Sequence, residues 1–579
     1  MKNALSTTIH SHSMPTLIYQ HAFRVLAGLA LMALCISCPT PPGGGGGPQV
    51  VGSTPDTVHL AFAGGGWRAH TGHAAWTMSL LDSGNIKLDS VFTNVGTISS
   101  NSGGSWFSTM LMYSEDFVEA IEAPDAINTW DSIGWLGQQE SLFNAAGCDT
   151  EGYEYLNCVA NHYLPDDGKF YWNEVVEGIV FRDYPIDQSV TLSSPRQAWA
   201  KDKPLLLAST MLTTEVVLNK KEEVDIFGDS VTYHRWYEAC LSPNTPVLDG
   251  DGGGSCSGQA TTPDVTPVTF SSLPGNAGYK VPYFLPEVGS GSKFNVGYTL
   301  DYVVDTAPTA SATIQHPLVC DEIPVVIAAA ASSAALGFGA SAVVSEFFDV
   351  AYGLEDEALG FELANSKVQF NNPDNDLSID TLAARKFVRL ADGGPTDNSG
   401  VAHLVSFLQL NDQAEGFNIV AFDNVQEIYS PGGNAADVGT DIASLFGLAI
   451  CPDNQFCGRL DCGAPCVNLP DVQVFDSTVV KTTTATWNPP SGVQGQALIY
   501  TKYTVTTVDN PAFGIQAGTT GTLHSFTCQW SSADTEPLNE QTDSDFIAYA
   551  NMLKFINSGL SADNQKGLKY LQAALGLTE

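Results

Sequence analysis

Two glycine-rich turns, each placed where an apolar strand pattern gives way to a helical one, limit what residues 58–106 can build. The first is Gly64-Gly65-Gly66, after the apolar run His59-Leu60-Ala61-Phe62-Ala63. Glycine leaves the backbone there free to take positive φ and unshielded by side chains. Trp67, Arg68 and the spacing of Ala74, Ala75, Met78 and Leu81 predict a helix that starts at this turn. A glycine turn at a helix N-terminus points unpaired N–H groups at whatever sits above it, which suits an anion. The second turn is Ser100-Asn101-Ser102-Gly103-Gly104, between the β-like Val91-Phe92-Thr93-Asn94-Val95 and the helix-compatible stretch from Trp106 to Met112. Small residues on both sides of Ser102 suit a sharp strand-to-helix elbow that lifts a hydroxyl into the open. Between Gly66 and Ser102 there is room for one helix and one returning strand. A βαβ unit of that size would bring both strand ends to the same edge of a parallel sheet, where sites form.

Gly64-Gly65-Gly66-Trp67-Arg68 resembles the G-G-G-x-R oxyanion loop of the patatin-like and cytosolic phospholipase A2-like acyl hydrolases. Ser102-Gly103-Gly104-Ser105-Trp106 is similar to that family's nucleophile elbow in its cytosolic phospholipase form, with Ser100 standing where the family has a leading glycine. The family's D-G-G aspartate has its match at Asp392-Gly393-Gly394, preceded from Val325 to Gly339 by an alanine- and serine-rich apolar segment like the one the family carries there. The stretches from Tyr500 to Tyr503 and from Thr506 to Gly518 resemble the family's late strands. The resemblance runs through most of the chain from residue 55 and implies an α/β fold of the FabD/lysophospholipase-like kind, a mainly parallel central sheet flanked by helices. It implies Ser102 as nucleophile, Asp392 as general base, and the N–H groups of Gly64, Gly65 and Gly66 as oxyanion hole. Arg68 either supports that loop or meets a lipid phosphate. No cofactor and no metal are implied. The implied reaction is hydrolysis of a carboxylic ester of a glycerophospholipid or lysophospholipid at a lipid interface, through a Ser-Asp dyad and an acyl-enzyme, with no obligate protein partner. The second arginine that cytosolic phospholipases use shortly after the aspartate has no counterpart between Gly393 and Asp412, which leaves lysophospholipids, galactolipids and neutral esters open.

A carboxylate is a weak base for a serine hydroxyl unless burial raises its proton affinity, so a dyad requires an apolar, partly dry site. The alternative enzyme is a Ser-His-Asp hydrolase, whose chain order of serine, acid and histidine leaves only His403 and His524. His403 lies in an apolar helical setting that suits a core histidine, and His70 and His73 read as helix-face residues. A third alternative is a catalytically silent, secreted lipid-binding protein.

With 579 residues, 44% of them apolar, one large catalytic domain can bury its core. Residues 1–38 read as a signal peptide whose apolar run from Val25 to Leu34 is shorter than a membrane-spanning helix needs. Residues 39–54 form a Pro/Gly-rich linker, and residues 55–579 the catalytic domain, with a lid-like insertion over 240–300 and a cysteine-rich loop over 451–470. The protein is therefore expected outside the cytoplasm, the alternative being a membrane-tethered lipoprotein acylated at Cys38. Ten cysteines beyond the signal segment make an even number, as disulfide pairing requires. Asp249 to Gly254 lacks the twelfth-position glutamate of a calcium loop and is assigned to loop. Lys and Arg number 24 against 63 Asp and Glu, a net charge of −39 that repels nucleic acid and anionic lipid alike.

Overall fold

The computed structural model describes residues 57–148 apart from 85 and 133, then 158–159, 162–163, 172–212 apart from 188 and 193, 216–238 apart from 227–228, 265–272, 280–281, 298–302, 324–333, 361–363, 389–447 apart from 412, 426–427 and 430–437, 455–456, 467–468, 472–530 apart from 478–479, 488–495 and 511–512, and 543–577. The signal segment, the linker, the Asp249 to Gly254 loop, most of the 240–300 stretch and the four cysteines of the 451–470 loop lie outside the described residues.

In chain order the elements that frame the site are β1 (Val58–Phe62), α1 (Gly66–Gly84), β2 (Val95–Asn101), α2 (Ser102–Tyr113), β3 (Leu205–Leu212), β4 (Val265–Ser271), α3 (Val325–Ser332), β5 (Arg389–Asp392), α4 (Val401–Leu410), β6 (Phe417–Val425), β7 (Val480–Trp487), β8 (Gln496–Thr506), β9 (Thr520–Trp530) and α5 (Asp543–Ala574). Non-helical backbone from Ala562 to Gln565 divides α5 into two helices. The nine strands make one sheet in the order β5-β3-β2-β1-β6-β9-β8-β7, with β4 on the other edge of β3. Strands β3, β2, β1, β6 and β9 run parallel to their neighbours, and β4, β5, β7 and β8 are antiparallel additions. The chain is thus an α/β protein with a mixed, mostly parallel sheet.

Successive side chains of a strand point to opposite faces, and the sequence places apolar groups on both. Leu60, Phe62, Leu205, Leu207, Val420, Phe422 and Phe526 pack into one core with α1, α2, α3 and α5. Ala61, Leu206, Ile419, Ala421 and Leu523 pack into a second core with α4 and the helical turn Thr440–Ser444. Full burial of each large apolar side chain contributes roughly 1.5–3 kcal/mol, so near-continuous apolar strands sandwiched between helices are the stable solution for this chain.

One expected strand is displaced. Val91 to Val95 is not extended: Leu88–Val91 is a helical turn and β2 begins only at Val95. Val91 and Phe92 are instead buried as core groups, Phe92 with its ring centroid 4.4 Å from that of Trp199. Parallel pairing with β1 matches Val58 with Val95 and Phe62 with Ser100, which requires the polar run Ser99-Ser100-Asn101 to be strand. Cysteine pairing is likewise incomplete. Cys148 is joined to Cys158 by a disulfide, whereas Cys528 is a free thiol buried within β9 beside Leu498 of β8.

Candidate active site

β2 ends at Asn101, whose backbone is extended (φ −135°, ψ 148°), and α2 begins at once with Ser102 at φ +48°. A left-handed backbone costs a residue with a Cβ about 1–2 kcal/mol. Here it turns the chain from strand to helix within one residue. Ser102 stays 7% exposed while Ser100, Asn101 and Ser105 around it are at 0%. A Cβ on Gly103 would collide with the Gly66 carbonyl, and one on Gly104 with the carbonyls of Phe62 and Ala63. The elbow therefore rests backbone to backbone on the loop after β1, which only glycine permits. Ser100 fits its position because its hydroxyl pairs with that of Ser108 at 2.6 Å and receives the Ser105 hydroxyl at 3.3 Å. From α3, Ser332 accepts the Ser102 N–H at 3.2 Å and pairs with the Ser105 hydroxyl at 2.7 Å.

Asp392 arrives at the same point along β3. Strand β2 occupies one edge of β3 from Leu205 to Ala208, and antiparallel β5 continues that edge from Ser209 to Leu212. The last residue of β5 is Asp392, which lies buried next to the elbow. Its carboxylate accepts hydrogen bonds from the Gly394 N–H at 2.7 Å and from Asn101 Nδ2 at 3.4 Å, and the Ser102 hydroxyl lies near enough to favour its charged form. Burial pushes its pKa up to about 6, and the Gly394 and Asn101 donors and the nearby Ser102 hydroxyl oppose the rise. A carboxylate of that proton affinity beside a hydroxyl can act on it as a base near neutral pH.

The glycine loop is fastened at its start and open at its end. Ala63 donates its N–H to the Phe422 carbonyl at 3.0 Å, Gly64 donates to the Asn398 carbonyl at 2.8 Å, and the His73 ring holds the Ala63 carbonyl at 2.8 Å. Gly65 and Gly66 follow at φ +128° and +57°, and their N–H groups donate to nothing among the described residues. Where a Cβ of Gly66 would point, there is open space. Gly64, expected as a third oxyanion donor, therefore uses its N–H to anchor the loop, and the free donors are those of Gly65 and Gly66. The Arg68 guanidinium packs over Gly65. Its charge acts on the carboxyls of Asp423, which is buried, and of Asp441, which is half-buried.

Ser102, Asp392 and the Gly64–Gly66 loop thus come together, and the histidines do not join them. His403 Nδ1 is paired with the Thr269 hydroxyl at 2.7 Å, and His524 Nδ1 with the Tyr500 hydroxyl at 2.8 Å. His70 stacks on Trp135 with centroids 4.0 Å apart. Burial lowers the pKa of all four histidines, His73 included, so they are neutral at pH 7. Sequence reasoning missed Asn101, Ser332 and Asn398. The available signals were an asparagine directly before the elbow serine, a Ser-Ser pair closing an alanine run, and a polar cluster directly after Asp392-Gly393-Gly394.

Comparison of the sequence with protein-family models and with curated proteins finds no match in either. Among the described residues no helix is long and apolar enough to cross a membrane.

Proposed function

We propose that the protein is a serine acyl hydrolase of the patatin-like and cytosolic phospholipase A2-like kind, acting on carboxylic esters of phospholipids or lysophospholipids. The observation that carries this reading is a strained-backbone serine beside a buried aspartate of raised pKa and two free N–H groups. In the proposed reaction Ser102 Oγ attacks the ester carbonyl carbon as Asp392 takes its proton. The N–H groups of Gly65 and Gly66 receive the oxyanion. Collapse expels the alcohol, which takes the proton from Asp392. Water then attacks the acyl-enzyme with Asp392 again as base, releasing the fatty acid and restoring Ser102. Arg68, packed over Gly65 and facing Asp423 and Asp441, is assigned to supporting the loop. A histidine-based triad has less support, since His403 and His524 are bonded to Thr269 and Tyr500. The N-terminal signal segment and the Cys148–Cys158 disulfide support action outside the cytoplasm.

Labelling with a fluorophosphonate followed by peptide mapping tests the reading. Modification at Ser102, lost in Ser102→Ala together with hydrolysis of a lysophospholipid, phospholipid and short-chain ester panel, is the expected result. Full hydrolysis by Ser102→Ala overturns it.

A further inference from the structure

Asn398 stands where three parts of the site meet. Its backbone carbonyl accepts the Gly64 N–H at 2.8 Å. Its Oδ1 accepts from Asn101 Nδ2 at 2.9 Å, and its own Nδ2 donates to Asp441 Oδ2 at 2.7 Å. Asn101 Nδ2 reaches on to Asp392 Oδ1 at 3.4 Å. The direction of this chain is set by its ends. A carboxylate only accepts, so Asp441 dictates which end of the Asn398 amide it faces, and thereby which atom Asn101 presents. Asp392 makes the same demand from the other side. Both amides are oriented between two carboxylates.

This orientation has a visible cost. Asn101 Oδ1 is left buried with no partner, a loss of about 1–3 kcal/mol for an unsatisfied group. Turning the amide would instead aim that oxygen at two acceptors, Asn398 Oδ1 and Asp392. Behind Asp441 lies Asp423, whose two oxygens are buried without a donor. Burial and the adjacent Asp441 carboxyl raise its pKa well above the ordinary range, and burial raises that of Asp441 as well. The other charges facing Asp441 are Arg68 and Asp397.

We propose that Asn398, anchored by Asp441, is a positioning residue that holds Asn101 as a donor to Asp392 and keeps the elbow, the aspartate and the glycine loop in register. The inference rests on Asp392 serving as the base. Asn398→Ala tests the side chain alone, because the carbonyl that holds Gly64 remains. The expected result is a fall in kcat of roughly ten- to a hundredfold, the worth of a hydrogen bond to a charged group, with KM little changed. The acid limb of kcat/KM should also move to higher pH, since Asn101, freed from Asn398, is held less firmly as a donor that favours the charged form of Asp392. Asp441→Leu should reproduce both effects, and Asp441→Asn, which keeps an acceptor oxygen, should restore most of the rate. An acid limb unmoved in Asn398→Ala or in Asp441→Leu overturns the proposal, whatever happens to kcat.

A second readout needs no turnover. The Asp392 carboxyl 13C signal, identified by its absence in Asp392→Asn, should titrate at higher pH in Asn398→Ala than in the wild type. An unchanged midpoint overturns the proposal. If the wild type neither hydrolyses esters nor labels at Ser102, the catalytic reading fails while this titration still decides the role of Asn398.

Discussion

Asn101 and Asp392 are neighbours on one edge of β3, Asn101 opposite Ala208 and Asp392 opposite Ser209, although 291 residues separate them along the chain. Strand β2 runs parallel to β3 and β5 antiparallel, so their C-terminal ends meet head to head. Each strand then turns immediately into its functional loop. A slip of one residue in either pairing would move one group about 3.3 Å and reverse its face, which separates serine from carboxylate.

The raised pKa of Asp392 predicts a pH signature. Below the ordinary aspartate value the carboxyl is protonated in both folded and unfolded chains. Between pH 4 and about 6 the folded state holds the proton and the unfolded state does not, so this group's contribution to stability declines as pH rises through that window. Relative to Asp392→Asn, the wild type should lose stability on the order of 3 kcal/mol from pH 4 to 7. Denaturant titrations of the two proteins across that range measure the difference, and parallel curves would refute it. Hydrolysis should show an acid limb near pH 6.

Ser102 sits at φ +48°, so removing its Cβ relieves strain. Ser102→Gly and Ser102→Ala should both be inactive, but the glycine variant should be the more stable by about 1 kcal/mol. Thermal melts of the pair check this. Equal melting temperatures would mean that the elbow is not strained.

The elbow and loop glycines should respond in a graded way. Gly103→Ala drives a methyl into the Gly66 carbonyl and should cost about 1–3 kcal/mol while forcing elbow and loop apart. Gly66→Ala meets open space and should fold with a penalty nearer 1 kcal/mol, yet still lose turnover because the methyl enters the space beside the free N–H groups. Melting temperature and kcat are read together for both.

His403→Ala and His524→Ala are expected to keep turnover within about tenfold of the wild type, since neither ring reaches Ser102 or Asp392, whereas loss of a working general base typically costs 10²–10⁴-fold. Circular dichroism must show the variants folded. A collapse of kcat in a folded variant would restore the triad.

The net charge of −39 predicts that hydrolysis of anionic vesicles rises with salt as the Debye length falls from about 30 Å at 0.01 M to about 8 Å at 0.15 M, and that zwitterionic vesicles respond much less. Initial rates against sodium chloride, with a chelator present, separate the two. Equal dependence would show that charge repulsion does not limit access.

The apolar run His59 to Ala63 marks β1, the continuous apolar run Leu205 to Leu207 is of the kind that strands buried on both faces carry, and glycine and serine mark both strand-to-helix turns. The sequence hid β2. Ser99, Ser100 and Asn101 look like loop, and become strand by pairing with β1 and β3, their side chains being satisfied by Gly400, Ser108, Asn398 and Asp392. Asn398 was hidden for the same reason. Its role lies in a chain of amides whose members are far apart in sequence, and no local pattern encodes such a chain.

Leu212 at the end of β3 is paired with Val265 on one side and with Arg389 on the other. The polypeptide therefore departs from the sheet at one residue and comes back opposite that same residue at both of its neighbours. Closing a longer loop between fixed ends adds only about 0.6 kcal/mol per doubling of length. Intervening sequence can thus be gained, lost or exchanged between relatives at almost no thermodynamic penalty, and without shifting Asp392. Chimaeras that swap residues 213–264 should therefore fold with the sheet unchanged, because the graft points Leu212 and Val265 are already paired with each other.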